Sequence, residues 1–216
     1  MRIVFMGTPD FSVAALNSLA EAGHEIAACV TQPDKPKGRG KAVLMTPVKM
    51  RALELDIPVY QPVKVRDPEF VKVLKELDPE VIIVVAFGQI ISQEILDLPK
   101  YGCINIHASL LPKYRGAAPI QQAVMDGEPV TGVTTMMMDA GIDTGDMLET
   151  VTVPIAEDET GGSLHDKLAA AGGRLIVSTL EKLKEGTLTR TRQPEEGACY
   201  AQKLTKSLGN IDWSMD

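Results

Sequence analysis

The fold class follows from residues 2–31, which read RIVFMGTPDFSVAALNSLAEAGHEIAACVT. Residues 2–6 are a short apolar run, typical of a strand, and a turn with glycine and proline follows them. Residues 11–23 carry apolar side chains at helical spacing, and residues 25–31 are a second strand candidate. A strand, a helix and a strand in this order predict a βαβ unit, whose strands run parallel.

The same alternation of strands and helices continues along the chain. Residues 80–87, EVIIVVAF, form an unbroken apolar run that predicts a strand buried on both faces. Residues 131–139 and 147–155 predict two neighbouring strands joined by the loop AGIDTGD. Further elements are expected as a strand at 103–109, as helices at 48–56, 67–77 and 91–99, and as a long helix at 160–186 with a weak point at Gly172–Gly173. The sequence therefore predicts an α/β fold.

Composition excludes several classes of protein. The 216 residues carry 22 Lys+Arg against 29 Asp+Glu, so the net charge is −7, and the length suits about one domain. No apolar run reaches the roughly 18–20 residues of a membrane helix, and the N-terminus lacks the features of a signal peptide. Three widely spaced cysteines form neither a disulfide framework nor a zinc pattern. We expect a cytoplasmic protein with structural thiols, without membrane association.

Common cofactor and nucleophile motifs are missing from the sequence. GTPDF at 7–11 has one glycine where a dinucleotide fingerprint needs three, and GRGKA at 38–42 lacks the Ser or Thr of a P-loop. GGSLH at 161–165 does not match the G-x-S-x-G of a nucleophile elbow. Without H-E-x-x-H or paired C-x-x-C motifs, we predict no metal, no nucleotide cofactor and no covalent nucleophile.

His107 is the histidine best placed for chemistry. It follows Asn105 by two residues on a predicted strand, so both side chains point to one face of the sheet. Ligands of open α/β sheets bind beyond the carboxyl ends of the strands, where this pair is expected. The alternative is an ordinary hydrogen-bonded polar pair at a strand end. His24, at a helix end, is explained by capping or solvent exposure, and His165 is interpreted as a surface residue.

Two loops offer further candidates. AGIDTGD contains Asp143 and Asp146, and a carboxylate can orient a histidine and stabilise its protonated form. Aspartate and glycine also favour turns in any protein, so this loop alone indicates only a turn. SLLPKYRGAAPI at 109–120 either lines a pocket for a flat organic ligand or is simply a loop.

Combined, these segments resemble the signature of the folate-dependent formyltransferases. The resemblance rests on N-I-H-x-S-L-L-P-x-x-R-G at 105–116, followed by G-I-D-T-G-D at 141–146. MGTPDFSVAAL at 6–16, TQPDKPKGRGK at 31–41, RGAAPIQQAV at 115–124 and IDWS at 211–214 narrow it to the members that formylate methionyl initiator tRNA. It extends over essentially the whole chain.

The resemblance implies a Rossmann-like formyltransferase fold, with a mostly parallel sheet and helices on both faces. It implies an enzyme that uses 10-formyltetrahydrofolate as co-substrate and methionyl initiator tRNA as partner, acting as a monomer in translation initiation. By motif, the catalytic residues are Asn105, His107 and Asp143, the folate-binding residues are Ser109, Leu110, Leu111 and Pro112, and the tRNA-binding residues are Arg39, Lys35, Lys37 and Lys41.

The charge of the predicted tRNA segment differs from that of the whole chain. Residues 31–51 contain six basic residues and one acid, so this segment is +5 although the whole chain is −7. Without the resemblance, a solvated lysine-rich loop would be the favoured explanation of this charge. Family members also carry a C-terminal β-barrel domain, so we expect residues 1–186 to be the catalytic domain and 187–216 an extension or linker toward that absent domain.

Three other functions compete with this interpretation. Two are enzymatic: a formyltransferase for an amino sugar-nucleotide, and the hydrolase domain of a formyltetrahydrofolate dehydrogenase. The third is a non-catalytic module that binds folate or RNA. The PDKPKGRGK segment at 33–41 and Asn105 favour the tRNA enzyme.

Overall fold

The computed structural model describes residues 1–37, 42–210 and 213. The strands are β1 (Arg2–Gly7), β2 (Glu25–Val30), β3 (Lys35–Lys37), β4 (Ala42–Leu44), β5 (Val59–Tyr60), β6 (Val81–Val85), β7 (Cys103–His107), β8 (Arg115–Gly116), β9 (Val130–Met137), β10 (Met147–Pro154) and β11 (Tyr200–Ala201). The helices are α1 (Asp10–Glu21), α2 (Pro47–Glu54), α3 (Pro68–Leu77), α4 (Gln93–Leu96), α5 (Pro119–Met125) and α6 (Gly161–Glu185), and a 3₁₀ turn spans Lys206–Gly209.

A seven-stranded sheet with the order β10-β9-β7-β6-β1-β2-β5 forms the centre of the molecule. The five strands from β5 to β7 pair in parallel, whereas β9 is antiparallel to both β7 and β10. The prediction of a mostly parallel sheet is therefore confirmed. Strands β9 and β10 are the two neighbouring strands expected around the loop AGIDTGD.

Helices cover both faces of the sheet, as predicted. On one face, alternate residues of the central strands, such as Phe5 and Ile83, pack with apolar residues of α1, α2, α5 and α6. On the opposite face, Val4 and Ile82 pack with residues of α3 and α4. Strands buried on both sides need apolar side chains at every position, which explains the unbroken run VIIVV of β6.

Helix α6 runs without a break through its paired glycines, so the predicted weak point at Gly172–Gly173 is wrong. A Cβ on Gly172 would lie 2.9 Å from Ile106 Cγ2 of the sheet. A Cβ on Gly173 would lie 2.9 Å from the backbone oxygen of Ala14 in α1. The glycines permit close packing of α6 on the sheet and on α1.

Two segments expected to be irregular contain regular structure. Within 109–120, β8 forms and helix α5 begins at Pro119. Downstream of α6, β11 pairs in parallel with β8, and Ala201 is 1% exposed. Residues 187–201 thus contact the preceding domain, and the boundary at residue 186 stays a prediction. In the part of the chain that the structure describes, no helix is long and apolar enough to cross a bilayer.

Candidate active site

A cavity of about 540 Å³ opens beyond the carboxyl ends of β1, β6 and β7. Strand β1 has β2 on one side and β6 on the other, so strands that follow β1 are added on both of its sides. Such a change in strand order leaves a crevice at the carboxyl ends of the strands. Pro9 and Phe11 line the cavity after β1, and residues 86–89 line it after β6. Its position is the one that the α/β topology predicts for a ligand.

The motif GTPDFS connects the loops that follow β1 and β6. Thr8 Oγ1 donates to the carbonyl of Phe87 at 3.0 Å, and Ser12 Oγ donates to the carbonyl of Val85 at 2.7 Å. A Cβ on Gly7 would lie 2.8 Å from the Ser12 Cβ, so glycine is needed for this close approach. The motif therefore shapes one wall of the cavity.

The three predicted catalytic residues meet at this cavity. Asn105 and His107 lie on β7 and are 9% and 6% exposed. Asp143 comes from the loop between β9 and β10. Its Oδ1 accepts a hydrogen bond from Asn105 Nδ2 at 3.4 Å, and its Oδ2 lies 3.6 Å from His107 Nδ1. As expected, Asn105 and His107 lie on the same face of β7, and Asp143 lies beside them.

The tautomer of His107 follows from its second partner. His107 Nε2 lies 2.8 Å from the carbonyl oxygen of Tyr114. A carbonyl only accepts hydrogen bonds, so Nε2 carries a hydrogen. In the neutral ring the free lone pair is then on Nδ1, the nitrogen that faces Asp143.

Tyr114 is held by its own side chain. Its hydroxyl donates to Asp126 at 2.6 Å, and a carboxylate oxygen of Glu128 lies 2.9 Å from the same hydroxyl. Burial and these two carboxylates hold the pKa of Tyr114 well above its ordinary value. The residue has a positive φ of 59°, so this anchoring fixes a backbone carbonyl in an uncommon conformation.

The Asp143 loop is a tight turn with little freedom. Asp143 itself has a φ of 54°, in the left-handed region that Asp and Asn tolerate better than other side chains. A Cβ on Gly145 would lie 1.7 Å from the carbonyl oxygen of Met137, so no other residue fits. Gly116 N–H donates to Asp143 Oδ2 at 2.8 Å and fixes the carboxylate from the opposite side.

The predicted folate segment 109–112 lies next to the cavity and forms a compact turn. Ser109 Oγ donates to the carbonyl of Lys113 at 2.6 Å, and the Leu111–Pro112 peptide is cis. Among the described residues that line the cavity, Ala108 is present and none comes from 109–112. Direct folate contact by these four residues stays a prediction.

The predicted tRNA segment is partly described. Lys35 is exposed, and Lys35 and Lys37 belong to β3 of a two-stranded hairpin with β4. Arg39 and Lys41 lie outside the described residues. Two other cations counted in the +5 segment have acidic partners, because Lys49 pairs with Asp34 at 2.5 Å and Arg51 pairs with Glu54 at 2.7 Å. The excess positive charge thus belongs to residues 35–41.

Sequence reasoning missed Gln193 and the place of His165 at the cavity. Gln193 is 5% exposed and hydrogen-bonds to the Asp143 loop, but no pattern in its polar segment indicates this. His165 is partly exposed beside Asp10 and Asp166, as expected of a surface residue, but it also lines the cavity with its ring edge-on to Phe11 at 5.3 Å. Among residues 1–37, 42–210 and 213, no group of three or more His, Cys, Asp or Glu side chains is arranged to hold a metal ion.

Comparison with known proteins gives both a family and close relatives. A family model described as formyl transferase matches residues 1–180. Methionyl-tRNA formyltransferases from Agathobacter rectalis and Acetivibrio thermocellus are 58% and 55% identical to the chain. Each alignment covers 99% of this chain and 69% of the relative.

Solved structures share the fold. Phosphoribosylglycinamide formyltransferase from Bacillus halodurans is 28% identical, with a TM-score of 0.69 over 85% of this chain and 95% of that one. HypX from Aquifex aeolicus, solved in complex with tetrahydrofolic acid, is 22% identical, with a TM-score of 0.74 over 100% of this chain and 32% of that one. The chain therefore belongs to the formyl transferase family, and within it groups with the methionyl-tRNA formyltransferases.

Proposed function

We propose that the protein transfers the formyl group of 10-formyltetrahydrofolate to the α-amino group of methionyl initiator tRNA. The observation that carries the proposal is the cluster of Asn105, His107 and Asp143 at one cavity. It occurs in a chain 58% identical to a methionyl-tRNA formyltransferase. The amino sugar-nucleotide alternative has weaker support, because the sugar N-formyltransferases of similar fold are only 20–21% identical.

The cavity suits a flat organic co-substrate. Its volume of about 540 Å³ falls within the range of about 300–1,000 Å³ typical of small-molecule sites. Phe11, Phe87 and Met138 supply apolar walls, and Asn105 and His107 supply polar groups at one end. When bound there, 10-formyltetrahydrofolate supplies the formyl carbon that the amine of the methionyl group attacks.

Asn105 is proposed to stabilise the negative charge that develops on the formyl oxygen. Its Nδ2 carries two hydrogens, of which one is directed to Asp143 Oδ1 at 3.4 Å. The other can donate to the oxygen in the cavity. One donor of this kind contributes about 3 kcal/mol of transition-state stabilisation.

His107 is proposed to hold and move the proton at Nδ1. Since Tyr114 keeps the hydrogen on Nε2 in place, only Nδ1 can accept the proton that the attacking amine loses. Asp143 Oδ2, at 3.6 Å, favours the imidazolium that then forms. As the bond between the formyl carbon and N10 of the folate breaks, that proton passes to N10, so tetrahydrofolate leaves and the amine keeps the formyl group. No covalent bond to the protein forms.

The test is formylation of methionyl initiator tRNA by purified protein and its variants. We expect Asn105→Ala, His107→Ala and Asp143→Ala each to lower kcat by about 100-fold or more, since each removes a group from the transition state. Folate binding, measured by calorimetry, should change little. An amino sugar-nucleotide serves as the control acceptor and should remain unmodified.

Asp143→Asn is the matched variant for the carboxylate. Asparagine tolerates the left-handed backbone of position 143 and keeps the shape of the side chain, but it removes the charge. We expect the melting temperature to stay near that of the wild type while kcat falls. Near-normal turnover in all of these variants would overturn the assignment.

Residues 35–41 are proposed to contact the acceptor end of the tRNA. The hairpin β3–β4 follows β2, and Gln32 at its base donates to Phe87, whose loop lines the cavity. Positive side chains here would meet phosphates close to the reacting amine. We expect Arg39→Ala to raise KM for tRNA and leave folate binding unchanged.

The protein is further proposed to act as a cytoplasmic monomer. Cys29 and Cys103 are buried free thiols, which fits a reducing compartment. Analytical ultracentrifugation tests the monomer. A stable dimer at micromolar concentration would contradict it.

A further inference from the structure

We propose that Gln193 is a positioning residue that holds the Asp143 loop in its active geometry. The inference rests on the proposed function of the Asn105, His107 and Asp143 site. Gln193 lies beyond residues 1–180, the part that the family model matches, in a segment that the sequence suggested was an extension or linker. Through Gln193, residues beyond 186 would help to position the catalytic side chains.

The amide of Gln193 bridges both sides of the turn. Its Nε2 donates to the carbonyl of Asp143 at 2.8 Å and to the carbonyl of Gly145 at 2.7 Å. These carbonyls flank Thr144, so both hydrogens of one NH₂ group are used to fix the turn. Gln193 is 5% exposed, and a buried donor with two partners holds a loop more tightly than one that exchanges with water.

The oxygen of Gln193 is fixed in turn by a buried arginine. Arg115 Nε donates to Gln193 Oε1 at 2.9 Å, and Arg115 is 5% exposed. Arg115 precedes Gly116, whose N–H donates to Asp143 Oδ2 at 2.8 Å. The same short strand thus holds the Asp143 carboxylate directly and, through Gln193, the Asp143 backbone.

Strand β8 depends on the segment that carries Gln193. Arg115 N–H donates to the carbonyl of Cys199, and Ala117 N–H donates to the carbonyl of Ala201, both at 2.9 Å. The bridge between Met147 and Thr191 fixes the start of the same segment beside the end of the Asp143 loop. Residues 191–201 therefore surround the turn on two sides.

The left-handed backbone of Asp143 explains why such support matters. A φ of 54° in a residue other than glycine is an unfavourable backbone conformation that persists only where the surroundings enforce it. Without the two hydrogen bonds from Gln193, the turn can relax. The carboxylate would then move away from His107 Nδ1 and Asn105 Nδ2.

The experiment compares Gln193→Leu and Gln193→Glu with the wild type and with Thr179→Val. Leucine removes all three hydrogen bonds, whereas glutamate keeps an acceptor for Arg115 and removes the two donors to the turn. Thr179 is a fully buried hydroxyl on α6 that bonds Thr135 and Glu149, so its valine variant controls for a lost buried hydrogen bond. Steady-state formylation, folate binding and thermal melting are measured for all four proteins.

We expect both Gln193 variants to lower kcat by 10-fold or more, with KM for tRNA and folate affinity within twofold of the wild type. Thr179→Val should lower the melting temperature to a similar extent and keep kcat. A kcat within twofold of the wild type in Gln193→Glu would overturn the proposal, and so would an equal loss of kcat in Thr179→Val.

A second readout does not depend on the reaction. The amide hydrogen of Gly116, which bonds to Asp143 Oδ2, should exchange with solvent at least 10-fold faster in Gln193→Glu than in the wild type. Its exchange rate in Thr179→Val should equal that of the wild type. Unchanged exchange in Gln193→Glu would overturn the positioning role even if the wild type fails to formylate tRNA. Faster exchange together with an inactive wild type would instead refute the proposed function and leave the positioning role intact.

Discussion

Asp143 connects more of the site than any other single side chain described above. One oxygen accepts from Asn105, and the other accepts from Gly116 and faces His107. A half-buried carboxylate with several donors is held in one orientation, because each donor lost would leave it less well compensated. The geometry of His107 is therefore set by the loop that carries Asp143 as much as by its own strand.

The buried thiols predict a dependence of stability on alkaline pH. Burial raises the pKa of Cys29 and that of Cys103 to about 12 each. An unfolded thiol ionises near pH 8.5, so stability is fully present below that pH and is lost as pH rises toward 12. The slope is about 1.4 kcal/mol per pH unit for each thiol.

We expect the free energy of unfolding to fall between pH 8 and pH 10 by about 4 kcal/mol more in the wild type than in Cys29→Ala/Cys103→Ala. Urea titrations at both pH values measure it. The double variant starts from lower stability because it leaves small cavities, so the comparison is between slopes. Equal slopes would mean that other groups dominate alkaline unfolding.

The placement of Asn105 and His107 could be predicted from the sequence. The contacts that hold the Asp143 turn beside them could not. The alternation of a strand places Asn105 and His107 on one face, and the position of β7 in the sheet places them at a ligand crevice. The conformation of the Asp143 turn depends on Gly116 and Gln193, which are 27 and 50 residues away. Local sequence carries no signal for such contacts.

At the level of elements, α6 shows why a local propensity can mislead. Two adjacent glycines weaken an isolated helix, which led to the predicted weak point. In the fold, their missing side chains let α6 lie against Ile106 of the sheet and Ala14 of α1. The tertiary contact outweighs the propensity, and the helix continues for 25 residues.

This packing predicts that alanine is harmful at one glycine of α6 and harmless at another. A Cβ on Gly173 would lie 2.6 Å from Ser18 Oγ and 2.9 Å from the Ala14 carbonyl oxygen, so we expect Gly173→Ala to destabilise the protein by about 1–3 kcal/mol. The nearest atom to a Cβ on Gly162, in the first turn, is Thr160 Oγ1 at 3.7 Å. Gly162→Ala should be neutral or stabilising by up to about 1 kcal/mol.

Thermal or urea unfolding of the two variants checks this prediction. The gain in helix propensity is at least as large at the central Gly173 as at Gly162 in the first turn, so a lower stability of Gly173→Ala reports the packing of α6. If Gly173→Ala proved as stable as Gly162→Ala, helix α1 would be able to move away from α6 at little cost in free energy. The close contact between α1 and α6 would then not require glycine at position 173.

The small elements were beyond sequence prediction for a related reason. Strand β8 has two residues, and it is a strand only because β11, some 85 positions later, pairs with it. The larger strands β1 and β6 are apolar runs, and β7 alternates apolar residues with Asn105 and His107; the positions of all three match the predicted ones closely. Elements with their own pattern were predictable, and elements defined by a distant partner were not.

At the level of the whole molecule, charge is distributed unevenly. The chain carries a net charge of −7, yet residues 31–51 are +5. The pairs Lys49–Asp34 and Arg51–Glu54 neutralise part of this segment, so its excess lies in the hairpin region 35–41. A negative protein with a local positive segment attracts a polyanion at that segment and repels it elsewhere.

The formylation reaction should therefore depend on salt through tRNA and not through folate. We expect KM for methionyl-tRNA to rise steeply between 50 and 200 mM salt, because each phosphate contact releases counterions. Lys35→Ala should reduce the slope of log KM against log salt by about 1. KM for the folate co-substrate, measured in the same buffers, should stay nearly constant.

A flat salt response of KM for tRNA would place recognition outside residues 35–41. A matched control is Lys72→Ala, which removes an exposed cation of α3, whose residues pack on the sheet face opposite α2. It should leave both Michaelis constants and the salt slope unchanged.

The pairing of β8 with β11 has a consequence for the newly made protein. A chain leaves the ribosome from its N-terminus, and its folding begins before synthesis ends. The parallel strands and helices up to α6 can assemble first, but Arg115 and Gly116 lack their partner until residues near 200 have emerged. A nascent chain that already contains Asn105, His107 and Asp143 would thus reach their arrangement in the folded protein only when residues near 200 pair with β8 and Gln193 contacts the Asp143 turn.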